Sequence, residues 1–415
     1  MRHSPTYVLI LLLALAQQSL VVRVYAADCT PLWTTSLTNV QSSAISNDGS
    51  YVAVGEYLGS PSFQTKVSLF TRESSTPLWS YTSPGGYFVS MSKDGSYVAT
   101  GGPTHFIQLF GRNQSNPLWN FTAIPVSETS PIITVAISRD GQYIAAQVSR
   151  YGAYVNTVYL FHRSSNVPLW SYNISRTFPE SYFAPIRISN DGGYIVTVGT
   201  SGSLLLFSRA NNQTLWMSSI FGTPLMNGNG DFIVAVSGRN INILSKTSNV
   251  TQRTITASTS EGVYGTDFSD DGSTIALGYG FDLFLFDRSS GRQLFNTRPR
   301  FNQGAGIVET LSLSADGGKV AVGSGLNALF LYDRSGSQLC AASGGRRAAI
   351  SGDGRFAVSG DSTLALFEVP SSPISVFAIL LITGGLVAVG LTVFFLFWRR
   401  RSRRNALTPQ GSRIS

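Results

Sequence analysis

The sequence of 415 residues predicts an all-β fold, a single eight-bladed β-propeller followed by one C-terminal transmembrane helix. Three observations support this prediction. A hairpin motif centred on Asp-Gly or Asn-Gly recurs eight times, two further short apolar runs follow most copies, and an uncharged segment near the C-terminus precedes a cluster of arginines. With 41 glycines, 12% aromatic and only 13% charged residues, the composition suits short buried strands joined by many turns.

Residues 1–26 have the layout of a signal peptide. A basic start at Arg2 precedes the apolar run Tyr7–Ala16, and cleavage is expected after Ala26. An uncleaved anchor is the alternative, because Arg23 lies close to the expected cleavage site.

The repeated hairpin defines the segment that follows, residues 27–369. Its first copy reads AISNDGSYVAVG (44–55), and later copies read SMSKDGSYVATG (90–101), AISRDGQYIAAQ (136–147), RISNDGGYIVTV (187–198), LMNGNGDFIVAV (225–236), DFSDDGSTIALG (267–278), SLSADGGKVAVG (312–323) and AISGDGRFAVSG (349–360). Asp-Gly or Asn-Gly between two apolar runs predicts a hairpin, because both residues tolerate the positive φ of a tight turn.

A third run follows each hairpin, as in VSLFTR (67–72), and a fourth run often carries tryptophan, as in PLWSY (77–81). Four short strands in each repeat of roughly 43 residues are typical of propeller blades. Eight repeats predict eight blades, and seven blades are the alternative count.

These motifs resemble the WD-repeat and quinoprotein-like propeller superfamily. The Ser-x-Asp-Gly hairpin is similar to the WD-repeat type, and the Leu-Phe-x-Arg and Pro-Leu-Trp element is similar to the pyrroloquinoline-quinone type of repeat. The resemblance covers about residues 30–369 and implies the propeller fold, but it says little about function. The histidine and Trp-Asp marks of true WD repeats are missing, so the resemblance does not extend to the internal hydrogen-bond network of that family.

The ends of the repeat region predict how the ring closes. The last repeat ends at LALFEV (364–369) without a fourth run, and PLWTT (31–35) precedes the first hairpin without a blade of its own. We therefore expect residues 31–35 to supply the outer strand of the eighth blade, which removes an open sheet edge.

The connections between strands predict a binding face. If the strands of a blade are lettered A to D from the channel outward, the tight A–B and the C–D turns share one face, and the B–C and D–A connections share the other. The longer connections fall on the second face, and exposed aromatic and arginine residues on loops are typical of recognition surfaces. The candidate binding residues on this face are Tyr57, Phe63, Arg150, Tyr151, Tyr154, Arg176, Phe178, Tyr182, Phe183, Arg300 and Phe301. The alternative is that some of these rings cap the hydrophobic layers of the propeller.

The C-terminal segments predict a membrane anchor. Residues 370–373 form a short linker, and residues 374–398 carry no charge. As a helix this segment would span about 37 Å, enough to cross a hydrocarbon core of about 30 Å. Six arginines in the tail, residues 399–415, predict a cytoplasmic tail by the positive-inside rule. The chain would leave the propeller on the face of the tight turns, so that face should look toward the bilayer.

The formal net charge of +8 does not predict nucleic-acid binding. Eight basic residues lie in residues 1–26 and 399–415, so 22 of the 30 basic residues remain against 22 acidic ones. The propeller is therefore formally neutral and has no basic bias of the kind that neutralises phosphates.

Covalent modification has two sets of candidates. For Cys29 and Cys340 the sequence leaves open a disulfide or ordinary apolar packing of Cys340, which occupies the position of tryptophan in other repeats. Asn-x-Ser/Thr sequons make Asn113, Asn120, Asn173, Asn212 and Asn249 candidate N-glycosylation sites, all expected on the outer rim.

The sequence predicts no enzyme, no cofactor and no metal. The three histidines are scattered, no βαβ pattern surrounds a nucleotide motif, and the vicinal cysteine pair of quinone-dependent dehydrogenases of similar architecture is missing. We therefore predict a binding or scaffolding module at the plasma membrane with its propeller outside the cytoplasm, holding a protein, peptide or glycan. The alternatives are a sensor that signals by weak homodimerisation of the span through Gly384 and Ala388, and a degenerate quinoprotein-like enzyme.

Overall fold

The repeats fold into four-stranded antiparallel sheets. A computed structural model of the chain describes residues 28–59, 64–83, 86–124, 132–150, 155–175, 185–301 and 304–371, all within the compact unit 27–371. The predicted signal peptide, membrane span and tail lie outside the described residues. The part of the chain that is described contains no helix with the length and hydrophobicity that crossing a membrane requires.

The strands are numbered in chain order, and each sheet is one blade. Blade 1 consists of β2 (Val40–Ile45), β3 (Tyr51–Gly59), β4 (Gln64–Thr71) and β5 (Trp79–Ser83), and blade 2 consists of β6 (Phe88–Met91), β7 (Tyr97–Gly101), β8 (Phe106–Gly111) and β9 (Pro117–Thr122). Blade 3 consists of β10 (Ile132–Ile137), β11 (Tyr143–Ser149), β12 (Val155–His162) and β13 (Trp170–Ser175), and blade 4 consists of β14 (Arg187–Ile188), β15 (Tyr194–Val198), β16 (Ser203–Ser208) and β17 (Thr214–Phe221). A 3-10 turn, Thr200–Gly202, precedes β16.

The second half of the ring repeats this arrangement. The remaining blades are blade 5, β18 (Thr223–Met226), β19 (Phe232–Ser237), β20 (Asn240–Ser245) and β21 (Ser248–Thr256); blade 6, β22 (Val263–Phe268), β23 (Thr274–Tyr279), β24 (Asp282–Asp287) and β25 (Gln293–Thr297); blade 7, β28 (Val308–Leu313), β29 (Lys319–Ser324), β30 (Ala328–Asp333) and β31 (Gln338–Ser343); and blade 8, β32 (Arg347–Ile350), β33 (Phe356–Gly360), β34 (Thr363–Glu368) and β1 (Pro31–Ser36). A small hairpin, β26 (Arg300–Phe301) and β27 (Gly304–Ala305), lies between blades 6 and 7.

The N-terminal strand closes the ring, as the sequence predicts. β1 pairs antiparallel with β34, with Thr34 opposite Ala365, and forms the outer strand of blade 8. Eight blades are therefore confirmed, and the alternative of seven is wrong. Because β1 comes from the start of the repeat region and β34 from its end, the two ends of the ring are held in one sheet.

The hydrophobic core is divided among the interfaces between successive blades. Buried apolar side chains form eight clusters within the described residues, and each cluster draws on two neighbouring blades. One of them joins Phe70 of blade 1 to Phe356 of blade 8, which completes the circle. Burial therefore stabilises the ring only when every blade has both of its neighbours.

Tryptophans of the outer strands bind each of five blades to the next one. The indole N–H of Trp79 in blade 1 donates to the carbonyl oxygen of Arg112 in blade 2 at 2.8 Å. The same bond joins Trp33 to Arg72, Trp119 to Arg163, Trp170 to Arg209, and Trp216 to Lys246. These bonds give the repeated tryptophan of the Pro-Leu-Trp element its structural role.

The basic residue that accepts this bond also stacks on the preceding blade. The guanidinium of Arg112 lies 4.6 Å from the ring centroid of Tyr51 in blade 1. Equivalent cation–π contacts join Arg72 to Phe356, Arg163 to Tyr97, Arg209 to Tyr143, and Lys246 to Tyr194. Each of these blade junctions is therefore fixed twice, by a hydrogen bond and by a stacked cation.

A disulfide takes the place of this contact at the junction of blades 7 and 8. Cys29 and Cys340 are bonded, with their Cα atoms 5.2 Å apart. Cys340 lies in the outer strand of blade 7, and the N–H of Cys29 donates to the carbonyl oxygen of Ala341 in the same strand. The chain therefore runs along the edge of blade 7 before it crosses to blade 8 as β1. Of the two alternatives that the sequence left open for the cysteines, the structure has the disulfide.

Candidate binding face

The tight A–B turns use their polar side chains internally. In blade 1 the hydroxyl of Ser46 donates to Asp48 Oδ1 at 2.8 Å, and the backbone N–H of Ser50 donates to the same oxygen at 3.0 Å. Burial of Asp48 opposes ionisation, but the hydrogen bonds from Ser50 and Ser46 outweigh it and hold the pKa of the carboxyl below its usual value. The turns at Asp94, Asp191 and Asp316 have the same bonds and the same direction of pKa shift.

Close packing between blades explains the glycine of this turn. Gly49 has a φ of +72°, which residues with a side chain rarely adopt. A Cβ atom at this position would also lie 2.3 Å from Cδ2 of Phe356 in blade 8. The turn therefore requires glycine both for its backbone conformation and for the contact with the neighbouring blade.

A closed circle of backbone hydrogen bonds surrounds the channel on this face. The N–H of Asn47 in blade 1 donates to the carbonyl oxygen of Lys93 in blade 2 at 2.8 Å. The same bond, from the backbone N–H of the first residue to the carbonyl oxygen of the second, then joins successive blades around the ring. The pairs are Lys93 to Arg139, Asp140 to Asn190, Asn190 to Gly228, Gly228 to Asp270, Asp271 to Ala315, Ala315 to Gly352, and Asp353 back to Asn47. The circle fixes the diameter of the channel mouth.

Side chains cross the mouth inside this circle. Arg139 of blade 3 forms an ion pair with Asp270 of blade 6, and its Nη1 donates to Asn47 Oδ1 of blade 1 at 3.2 Å. Burial raises the pKa of Asp270, although Arg139 and Lys93 favour its charged form. Within the mouth lies a cavity of about 200 Å³, whose lining includes these groups. Arg139 therefore links blades 1, 3 and 6 across the mouth.

Asp267 is a further acidic group in the channel. Its Oδ1 accepts the N–H of Phe268 at 2.9 Å, and its Oδ2 accepts the N–H of Leu313 in blade 7 at 2.6 Å. Part of Asp267 is accessible from the channel, but its carboxyl group is surrounded by protein atoms. Burial raises its pKa to about 6, although both hydrogen bonds and Arg187 act in the opposite direction.

The opposite face carries an aromatic cluster next to the channel. Tyr57 lies near the end of β3 in blade 1, and its ring centroid lies 6.2 Å from that of Tyr87, in the connection between blades 1 and 2. The ring of Tyr87 in turn packs edge-to-face on Phe88 at 5.0 Å. Burial raises the pKa of Tyr87, and nearby Tyr57 adds to this shift. The end of the B strand of blade 1 and a D–A connection therefore meet on this face.

A buried ion pair joins β3 and β4 next to Tyr57. The side chain of Glu56 is fully buried, and its Oε2 lies 2.9 Å from Nζ of Lys66, the residue directly opposite in β4. Its Oε1 accepts the N–H of Thr38 at 3.0 Å. The ends of β3 and β4 on this face are therefore held together next to Tyr57.

Arginines and acids surround the other side of the same face. Arg298 pairs with Asp282 through two bonds, at 2.7 and 2.9 Å. Glu309 at the start of blade 7 accepts from Arg346 at 2.7 Å and from Arg347 at 3.5 Å. Charge-assisted pairs of this kind hold arginines in defined positions at a surface.

The structure describes three of the sequence-predicted binding residues in full. Tyr57 lies in blade 1, Arg150 follows the second strand of blade 3, and Arg300 lies in the hairpin between blades 6 and 7, so they are spread around the ring. Phe301 lies in the same hairpin, but its side chain is not described. Phe63, Tyr151, Tyr154, Arg176, Phe178, Tyr182 and Phe183 lie outside the described residues.

Sequence reasoning missed Tyr87, Glu309 and Arg347 on this face and the Arg139–Asp270 pair on the other. The sequence does carry a signal for that pair, because the charged residues Lys93, Arg139 and Asp270 each directly precede an Asp-Gly turn. On the outer rim, the sequon residues Asn113, Asn120, Asn173, Asn212 and Asn249 are all exposed. Among the described residues no group of three or more His, Cys, Asp or Glu has the geometry of a metal site.

Comparison with solved structures finds the same architecture. The chain is similar to the crystal structure of the C-terminal WD40 domain of Sif2, with a TM-score of 0.63 and 12% identity over 84% of this chain and 100% of that chain. At this identity the similarity shows the fold alone: the chain has the β-propeller fold of WD40 domains. No family model matches the sequence, and no curated protein matches it.

Proposed function

We propose that this protein is an exported, membrane-anchored binding module whose propeller holds a protein partner without catalysing a reaction. The observation that carries the proposal is the cluster of Tyr57, Tyr87 and Phe88 on the long-loop face, together with the arginines of that face. On the tight-turn face the carboxylates, the backbone circle and the Arg139–Asp270 pair are engaged internally. The long-loop face presents aromatic rings and arginines, the residue types that dominate protein interfaces. WD40-type propellers typically serve as protein-interaction scaffolds, which agrees with a protein as the ligand.

The path of the chain supports the orientation that we propose. The N–H of Val369 donates to the carbonyl oxygen of Arg355 at 2.7 Å, and Arg355 lies directly after the tight turn of blade 8. The chain thus leaves the propeller on the tight-turn face. Only residues 370–373 separate this exit from the predicted span, which limits the connection to roughly 14 Å. The long-loop face then points away from the membrane and is the face that a partner can approach.

A photo-crosslinking comparison in whole cells tests which face binds. One full-length variant carries a photoreactive amino acid in place of Tyr57, and a matched control carries it in place of Gln114, an exposed residue in a C–D turn. We expect a discrete adduct from position 57 and none from position 114. Adducts from position 114 alone would place the binding site on the tight-turn side and contradict the proposal.

The predicted loop residues Tyr182 and Phe183 give a second test. Replacing both with alanine should weaken binding of the captured partner by about 5- to 150-fold, equivalent to about 1–3 kcal/mol, if the two rings anchor the partner. Thermal unfolding of the same variant is the control. Unfolding would mean that the rings cap the core, and full binding by a folded variant would place the site elsewhere on the propeller.

A further inference from the structure

The outer edges of blades 2 and 3 present apolar side chains to solvent. Leu118 in β9 is 45% exposed, and Leu169, directly before β13, is 52% exposed. Both belong to the repeated Pro-Leu-Trp element, in which the tryptophan points inward to the next blade. β9 and β13 are the last strands of their sheets, and among the described residues no further strand pairs with either of them.

Two sequons lie on the same exposed side as these leucines. Side chains of a strand alternate between its two sides, so Leu118, Asn120 and Thr122 point the same way, and all three are exposed. In blade 3 the exposed positions are Leu169, Ser171, Asn173 and Ser175. In both blades a complete Asn-x-Ser/Thr acceptor therefore follows an exposed leucine along one edge.

The carboxamides of the two asparagines are oriented by the neighbouring strand. Gln108, directly opposite Asn120, donates from its Nε2 to Asn120 Oδ1 at 2.9 Å. Thr157, directly opposite Asn173, donates from its hydroxyl to Asn173 Oδ1 at 3.1 Å. Because each bond holds the oxygen toward the sheet, it turns Nδ2, the atom that carries an N-linked sugar, toward solvent.

We propose that Asn120 and Asn173 carry N-linked glycans, and that the first sugar of each glycan covers the adjacent leucine. The inference rests on the proposed export, because the donor is a lipid-linked oligosaccharide on the outer side of the membrane. In the transfer, Nδ2 forms a bond to the anomeric carbon of the sugar and loses a proton. The bond between that carbon and the lipid phosphate oxygen breaks, and the lipid phosphate leaves with the electron pair.

The spacing along the edge suits this arrangement. Residues two apart on a strand are about 6.5–7 Å apart, so a sugar ring attached to Asn120 reaches Leu118. The C–H face of the ring would cover the leucine while its hydroxyls face water. Glycans at these sites would therefore hide apolar surface that would otherwise be open to association.

Mass spectrometry of the full-length protein from membranes of its producing cells tests the proposal. We expect Asn120→Gln and Asn173→Gln each to remove one glycan mass, and the double variant to remove both. Thr122→Ala should remove the glycan at Asn120 without changing the asparagine, and Thr122→Ser should retain it. Asn116→Gln is the matched control, because Asn116 is exposed on the same rim but lies in Asn-Pro-Leu, which is not an acceptor.

Covering of the leucines has its own readout. The double asparagine variant should bind a hydrophobic dye more strongly than the glycosylated protein, and adding Leu118→Ser and Leu169→Ser should reverse the increase. Unmodified Asn120 and Asn173 in protein that surface labelling shows to be exported would overturn the glycan proposal while leaving the proposed function intact. Absence of export would overturn both. Glycans without a change in dye binding would overturn the covering of the leucines.

Discussion

The indole N–H of Trp79 in blade 1 donates to the carbonyl oxygen of Arg112 in blade 2, and the guanidinium of the same arginine stacks on Tyr51 in blade 1. The two contacts lie at opposite ends of the arginine residue, one on its backbone and one on its side chain. Together they hold successive blades in register, and they recur at five consecutive junctions from blade 8 to blade 5.

Trp79→Phe should remove the hydrogen bond while keeping most of the apolar contact. The carbonyl of Arg112 then loses its partner in a partly buried place, so we expect the free energy of unfolding to fall by about 1–2 kcal/mol. Urea unfolding measures the change. Leu78→Ala, next in the chain and 51% exposed, is the control and should change stability by no more than about 0.5 kcal/mol. Equal losses in both variants would contradict this role for the indole.

The disulfide should stabilise the closed ring. It joins residues 311 positions apart, so its loss frees a long loop in the unfolded chain. Replacing Cys29 and Cys340 with serine should lower the free energy of unfolding by about 2–5 kcal/mol. Urea unfolding of wild type with a reductant should show a similar decrease, and an unchanged midpoint in both experiments would mean that β1 alone is sufficient for closure.

Asp267 should make stability depend on pH between about 4 and 6. Its pKa is raised to about 6 in the folded protein, so the folded state holds the proton more tightly than the unfolded state does. Protonated Asp267 therefore adds to the free energy of unfolding. This stabilisation is fully present below the usual aspartate pKa and is lost as the pH rises through 6. The free energy of unfolding should therefore decrease between pH 4.5 and 7 by about 1–3 kcal/mol more in wild type than in Asp267→Asn.

The comparison with Asp267→Asn isolates this group, because Asp270 and Arg187 are present in both proteins. The turn carboxylates such as Asp48 act in a different range, since their pKa values are lowered and their contribution is lost only in more acidic solution. Identical slopes for wild type and variant between pH 4.5 and 7 would contradict the raised pKa of Asp267.

The blades and the closing strand could be predicted from the sequence because both depend on local patterns. An Asp-Gly pair between two apolar runs, as at Asp48, predicts a tight hairpin wherever it occurs in the chain. The strand Pro31–Ser36 belongs to no complete repeat, so it is expected to pair with the last blade, which lacks an outer strand. The bond from Trp79 to Arg112 could not be predicted in this way. It joins residues in different blades, and the angle between blades, rather than a sequence motif, brings them together.

The candidate site was predicted less completely than the fold. Alternation of strands predicts that Tyr57 lies at the long-loop end of blade 1, but nothing local indicates that its ring contacts Tyr87, in the connection between blades 1 and 2. The Arg139–Asp270 pair crosses the channel between blades 3 and 6, so it depends on the size of the closed ring. For Asp267, only burial in that ring distinguishes it from the exposed aspartates of the turns.

Cysteine labelling on intact cells tests the central claim, that the propeller is exported and the tail is cytoplasmic. The two native cysteines are bonded to each other, so an introduced cysteine is the only free thiol. Val167, in a C–D turn and 68% exposed, is suited to substitution in the propeller, and Ser415 is suited to it in the tail. A membrane-impermeant maleimide should label Val167→Cys in intact cells and Ser415→Cys only after permeabilisation; labelling of Ser415→Cys in intact cells, or protection of Val167→Cys until permeabilisation, would contradict the account.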